Sequence, residues 1–189
     1  TMDIETESEH GFPQVDNPIE RVLSITLKNH STKKFVVFGL HSYQTDREDV
    51  TYIKCDNEDD LLRRFLSFWE TNMPDVLTGW NTRFFDLPYL INRIKVRLGE
   101  DEIKRLSPWK AVFNDNVYKM GRNHTAFDII GVSQLDYLEL YQKYTYSAQE
   151  SYTLDHIGFV ELGKQKDKNP YETFRDWYTK DYQSFIDYN

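Results

Sequence analysis

The chain holds a single cysteine, Cys55, so no internal disulfide forms, and a lone thiol suits a reducing compartment. No apolar run approaches the length of a membrane span and no signal peptide opens the sequence, which predicts no membrane partner and a cytoplasmic setting. The five histidines are scattered, and no Ser/His/Asp set, glycine-rich phosphate loop, CxxC or HExxH pattern is present. Cations are also scarce: 23 Lys and Arg stand against 31 Asp and Glu, for a net charge of −8. Broad, phosphate-driven nucleic-acid binding needs a basic face that this composition does not supply. A nucleic-acid enzyme whose metal ions bring positive charge to the site stays compatible with it.

What is present describes one globular domain over residues 1–189, with 39% hydrophobic and 15% aromatic residues. Asp3 and Glu5 are two apart and fall on one side of a strand at the start. Opening inside a strand suggests a cut amino terminus. A polar loop from Glu7 to Pro18 follows. Residues 21–27 alternate, with Leu23, Ile25 and Leu27 on one face, and pair in a predicted hairpin with the β-rich run 34–40; residues 51–55 suggest a further strand. Asn57 to Met73 reads as a helix capped by Asn57, with Leu61, Leu62, Phe65, Leu66, Phe68 and Trp69 as its apolar stripe. Val76 and Leu77 predict a buried strand of a parallel sheet. A helix from Leu87 to about Leu98 follows in a βαβ pattern. Residues 112–118 and 125–130 flank Gly121-Arg122-Asn123 as a β-hairpin. Leu135, Leu138, Tyr141 and Tyr144 mark another helix, Ser151 caps a short one over 152–159, residues 163–169 form a charged loop, and the chain reads helical from Pro170 to its end.

Asp86 is where strand hands over to helix, the edge at which open α/β sheets place their chemistry. An N-cap role would account for it alone. Its crowding by Trp80, Asn81, Phe84 and Phe85 is more than a surface cap requires. Likewise Asp3 and Glu5 could be a solvated strand face. Hard divalent cations take oxygen ligands, and two-metal cleavage of a phosphodiester needs several carboxylates to converge.

Taken together, Asp3-Ile4-Glu5-Thr6 and Asn81 to Leu90 (NTRFFDLPYL) resemble the first and second exonuclease motifs of family B DNA polymerases, closest to the T-even-type bacteriophage enzymes. The similarity continues through Arg105 to Pro108, Leu135-Asp136-Tyr137 and Ser151 to Asp155. It implies a ribonuclease H-like α/β fold, a mixed β-sheet flanked by helices with an inserted β-hairpin that helps move a primer strand between sites. It implies 3′→5′ proofreading hydrolysis with two divalent metal ions, Mg²⁺ or Mn²⁺. Asp3, Glu5 and Asp86 would be metal ligands and catalytic residues. Phe12 would stack on a base, and Asn81, Phe85 and Lys164 would be further DNA-binding residues. The implied partners are a single-stranded DNA 3′ end, the polymerase domains of the same parent chain and, through the parent, a sliding clamp.

The third motif of that family is Y-x-x-x-D. Tyr188 matches its tyrosine, which orients the attacking water, and the aspartate would fall three residues beyond Asn189. Both ends therefore read as truncated, and this fragment is expected to be weak or inactive. The alternative is a ribonuclease H-like module that only binds nucleic acid or a protein. A free-standing exonuclease of the wider four-carboxylate superfamily is a third reading, but those often carry histidine where Tyr188 stands.

Overall fold

The computed structural model describes residues 1–119, 121–165 and 168–188. The charged loop read over 163–169 lies partly outside the described residues, as does Asn189.

Alternation builds the first sheet. In β1 (Met2–Thr6), Met2, Ile4 and Thr6 are buried while Asp3 and Glu5 are half-buried on the other face. β1 runs antiparallel to β2 (Val22–Lys28), β2 antiparallel to β3 (Phe35–Gly39), and β3 parallel to β4 (Val50–Lys54), in the order β1-β2-β3-β4. The expected hairpin and third strand are thus found, in a sheet of mixed direction.

The helix α1 (Glu58–Thr71) starts where its sequence says it should. Asn57 caps it by accepting the Asp60 N–H at 3.0 Å, and Leu61, Leu62, Phe65, Leu66 and Trp69 are buried. Each such side chain contributes roughly 1.5–3 kcal/mol on leaving water. Next come β5 (Val76–Gly79) and α2 (Asp86–Leu98), whose Leu87, Leu90, Ile91 and Ile94 join the same core as Met2, Ile4, Ile25 and Phe38. A 3₁₀ helix (Glu100–Leu106) leads into the predicted hairpin, β6 (Val112–Lys119) and β7 (Arg122–Ile129).

Three expectations are corrected. Leu135 is not helical: it lies on β8 (Ser133–Asp136), the parallel partner of β5, and α3 (Tyr137–Tyr144) begins only after Asp136, which caps it through the Leu138 N–H at 2.9 Å. The next helix, α4 (Leu154–Leu162), is capped by Thr153 rather than Ser151. The stretch from Pro170 is not one helix. α5 (Phe174–Lys180) starts at the Thr173 cap, and the chain breaks at Asp181, whose carboxylate takes the Ser184 N–H at 3.1 Å and starts α6 (Tyr182–Tyr188).

A second core lies on the Asp3 side of the sheet. Asp3 pairs with Thr26 and Thr26 with Val37, and cross-strand partners share a face. Val37 packs with Trp177, Tyr178, Tyr182, Phe185 and Ile186, so α5 and α6 cover this face. β5 abuts the open edge of β1: a methyl at Gly79 would stand 2.7 Å from the Met2 carbonyl oxygen. That approach brings the two carboxylate-bearing segments together.

An ionic tie holds the β1–β2 connection. Arg93 on α2 grips both carboxylate oxygens of Glu58 on α1 at 2.7 Å and donates to the carbonyls of Pro18 and Ile19 at 2.8 and 3.2 Å. Glu58 also accepts the Val22 N–H at 2.8 Å. Both side chains are buried, so each satisfies charge the other would otherwise strand.

Candidate active site

Asp86 is the first residue of α2 and is buried, 3% exposed. It is not the cap of that helix. Phe85 occupies the cap position, without a side-chain bond. The Asp86 carboxylate turns instead to β1, where its Oδ1 accepts the Ile4 N–H at 3.1 Å and where it shares a hydrogen bond with the Asp3 side chain. Burial first, then the Asp3 charge and that shared bond, push the Asp86 carboxyl well above the usual carboxylate range. Two acids so placed cannot both ionise cheaply unless a cation joins them. Beside them the Thr26 hydroxyl is buried without a hydrogen-bond partner. The Asp3, Asp86 and Thr26 side chains thus offer only oxygen donors, the Thr26 hydroxyl among them unpartnered, which fits a hard divalent ion. Among the described residues no three His, Cys, Asp or Glu side chains converge in ligand geometry.

The turn from Trp80 to Phe85 delivers Asp86. Asn81 adopts a left-handed conformation, φ 62°, which asparagine tolerates better than most residues. Asp136, itself buried, fastens the turn: its two oxygens accept the N–H groups of Asn81 at 3.0 Å and Arg83 at 2.9 Å. The Trp80 indole donates to the Tyr152 carbonyl at 3.2 Å, tying the turn to the segment that enters α4.

These elements enclose a cleft of about 1060 Å³, with Asp3 and Asp86 among its lining residues, Asn81 and Phe85 beside them, and Tyr141 and Leu154 along its apolar wall. Lys28, Lys119 and His124 also line it. The hairpin meets the cleft through Phe84, whose ring is 5.0 Å from that of His124 and lies beneath the Lys119 ammonium at 5.2 Å.

Of the residues singled out from sequence, Asp3, Asp86, Asn81 and Phe85 meet at the cleft. Phe12 is 75% exposed with its ring 5.5 Å from that of Phe85, which lines the cleft. Glu5 is one step along the same face of β1. Tyr188 lies against Trp177, ring centres 4.6 Å apart, in the second core. Lys164 is exposed just past α4. The structure adds Asp136, Thr26 and Lys119. Asp136 sits inside a stretch already noted for its similarity, but nothing local marks an aspartate as buried. Thr26 shows itself only through its register with Asp3.

No described helix is long and apolar enough to cross a membrane. The family model for the exonuclease domain of DNA polymerase family B matches residues 1–157. The DNA-directed DNA polymerase of Escherichia phage RB69 is 33% identical over 215 aligned residues, covering 100% of this chain and 24% of that protein. That of Enterobacteria phage T4 is 37% identical over 141 residues, 74% of this chain and 16% of that protein. The DNA polymerase delta catalytic subunit of Candida albicans is 31% identical over 179 residues, 88% of this chain and 17% of that protein. The chain thus spans less than a quarter of the length of these relatives. With two motifs joined at one cleft and a family match over most of its length, the chain belongs to the exonuclease domains of family B DNA polymerases, the 3′→5′ exonuclease module of those enzymes.

Proposed function

We propose that the cleft hydrolyses the terminal phosphodiester of a single-stranded DNA 3′ end, releasing one nucleotide at a time, as the proofreading unit of a larger polymerase. The observation that carries this is the meeting of buried Asp86 with half-buried Asp3 in one cleft. Asp3, Glu5 and Asp86 would hold two divalent ions, Mg²⁺ or Mn²⁺. When bound, such ions supply Lewis-acid charge stabilisation and an activated water. Asp86 is held in place by the Ile4 N–H, and Asp136 fixes the turn that carries it. Tyr188, on the helix layer that covers the Asp3 face, would orient the attacking water. Phe12 and Phe85 offer rings to bases, Asn81 a polar group beside the scissile end, and Lys164 a cation at the α4 end. A net charge of −8 agrees with binding that depends on the ions and on stacking rather than on a basic surface.

The fold supports the same reading. The antiparallel run β3-β2-β1 with β5 lying against β1 is the arrangement expected of a ribonuclease H-like core. The polymerase domains of a parent chain would hold the duplex, a sliding clamp would be met through that parent, and the buried free thiol of Cys55 suits a cytoplasmic setting.

The test is a gel assay with 5′-labelled and 3′-labelled single strands, using this chain and a longer version reaching past the third-motif aspartate. The longer version should shorten strands from the 3′ end. Asp3→Ala, Glu5→Ala or Asp86→Ala should each cost at least about 100-fold, and Tyr188→Phe less. Internal cutting, or full activity in Asp86→Ala, would overturn the assignment. Strand binding that persists with no cleavage in either version would favour a binding module.

A further inference from the structure

The exposed ring of Phe12 projects from a loop whose shape is set elsewhere. Glu20, 3% exposed, points its carboxylate back into the β1–β2 connection. Its Oε1 accepts the His10 backbone N–H at 2.6 Å and lies 3.0 Å from the His10 ring, and the Glu9 N–H bonds to the same carboxylate. Gly11 follows at once, with φ +102°, a conformation that side-chain-bearing residues rarely adopt. The next residue is Phe12. Glu20 thus gathers the two amides that immediately precede the turn from which the ring departs.

The same residue holds the other half of the aromatic pair. The Glu20 carbonyl accepts the Tyr89 hydroxyl at 2.8 Å. The Tyr89 ring backs Phe85 at 5.9 Å, and Phe85 meets Phe12 at 5.5 Å. Side chain and main chain of one buried acid therefore bear on both rings of the pair, one of which lines the cleft. On the far side, Glu9 meets Arg175 at 3.0 Å and accepts the Tyr178 hydroxyl at 3.1 Å, further ties on the same loop.

We propose that Glu20 is the positioning residue for single-strand capture: it acts through Phe12, presenting that ring against Phe85 so that a base entering the cleft meets a preset stacking surface. This rests on the reading of the cleft as a single-strand site. A ring held in place gives up less freedom when a base stacks on it, so affinity should depend on the tie as well as on the ring.

The experiment is a double-mutant cycle read by fluorescence anisotropy. The probe is a short single-stranded oligothymidylate with a cleavage-resistant phosphorothioate at its 3′ end, in Mg²⁺. Phe12→Ala should weaken binding roughly 5- to 150-fold, the span of one base–aromatic stack. Glu20→Ala should weaken it by a similar factor. In the Phe12→Ala background, Glu20→Ala should add nothing further. Glu20→Gln should restore most of what Glu20→Ala loses, because its amide oxygen still accepts the His10 N–H. A merely structural role would instead give independent, additive losses in the cycle. Gly11→Ala guards against a misfolded Glu20→Ala: a methyl there meets nothing within 4 Å but strains the turn, and it should also weaken binding. Additive losses, or unchanged affinity in Glu20→Ala or, should that variant not fold, in Gly11→Ala, while Phe12→Ala is impaired, would overturn the proposal alone. Unchanged affinity in Phe12→Ala would overturn the stacking reading of the cleft, and the proposal with it.

Discussion

Ile4 donates its backbone N–H to Asp86 Oδ1 at 3.1 Å, so the middle residue of the first motif orients the acid of the second. Backbone donation from a strand is rigid, and it holds the Asp86 carboxylate beside Asp3. The pair is thereby assembled at a cost in stability, since both groups favour ionisation in water and cannot both have it here.

That cost sets a pH-dependent prediction. The folded Asp86 carboxyl is raised above its unfolded value, so the folded state holds its proton more tightly. Its favourable share is fully present below the ordinary carboxylate range and is lost as pH rises through the folded value. Asp86→Asn keeps an oxygen for the Ile4 N–H and never ionises. Without metal it should be more stable than the parent near neutrality, by about 1 kcal/mol, the gap closing as pH falls. Thermal melts across pH in chelator check this; a less stable variant at neutral pH would contradict it.

Metal should reverse that ordering. The parent chain should bind at least one divalent ion, with Mn²⁺ at least as tight as Mg²⁺. Titration calorimetry on the parent and on Asp3→Ala should differ, and identical isotherms would mean that Asp3 and Asp86 do not act as one ligand set.

The Glu58–Arg93 tie predicts a large effect away from the cleft. Arg93→Met leaves the buried Glu58 carboxylate only Arg97 at 3.6 Å and the Val22 N–H, so it should destabilise by up to roughly 3–5 kcal/mol. The double replacement Glu58→Gln with Arg93→Met should cost less than the sum of the two single changes. Chemical denaturation of the three variants measures this, and strict additivity would show that the pair is not coupled.

Asp136→Ala removes the acceptor of three backbone N–H groups, those of Asn81, Arg83 and Leu138. A loss of about 1–3 kcal/mol is expected for donors left in a half-buried turn. Because that turn leads to Asp86, exonuclease rate in the longer version should fall by more than the folded fraction does. Parallel measurement of unfolding and cleavage separates the two.

Periodicity made much of this legible. The alternation around Ile25, the apolar stripe and Asn57 cap of α1, and the two β-rich runs about Gly121 correspond to strands, helix and hairpin within a few residues. Asp3 and Glu5 were readable as one face because strand side chains alternate. What stayed hidden depends on partners far along the chain. The difference between a capping aspartate and a strand-bonded one lies in Ile4, not in the neighbours of Asp86. β8 is a strand because β5 offers it a backbone ladder, and its polar Ser133 and Gln134 give no apolar signal. Glu20, Glu58 and Asp136 look like surface acids in the sequence, since burial of a charge is decided by which backbone amides and guanidinium converge on it.

The separation of 82 residues between Ile4 and Asp86 also orders events during synthesis and folding. The helix α1 and the hairpin β6–β7 close over near neighbours and need little else to begin forming. The cleft needs β1 to find α2 after the strands and helix between them have condensed, a late and entropically demanding step. A growing chain would therefore carry Asp3 for a long time before it meets Asp86. Nuclease chemistry is expected to switch on only with the finished domain, and to be among the first properties lost when heat or denaturant parts β1 from α2.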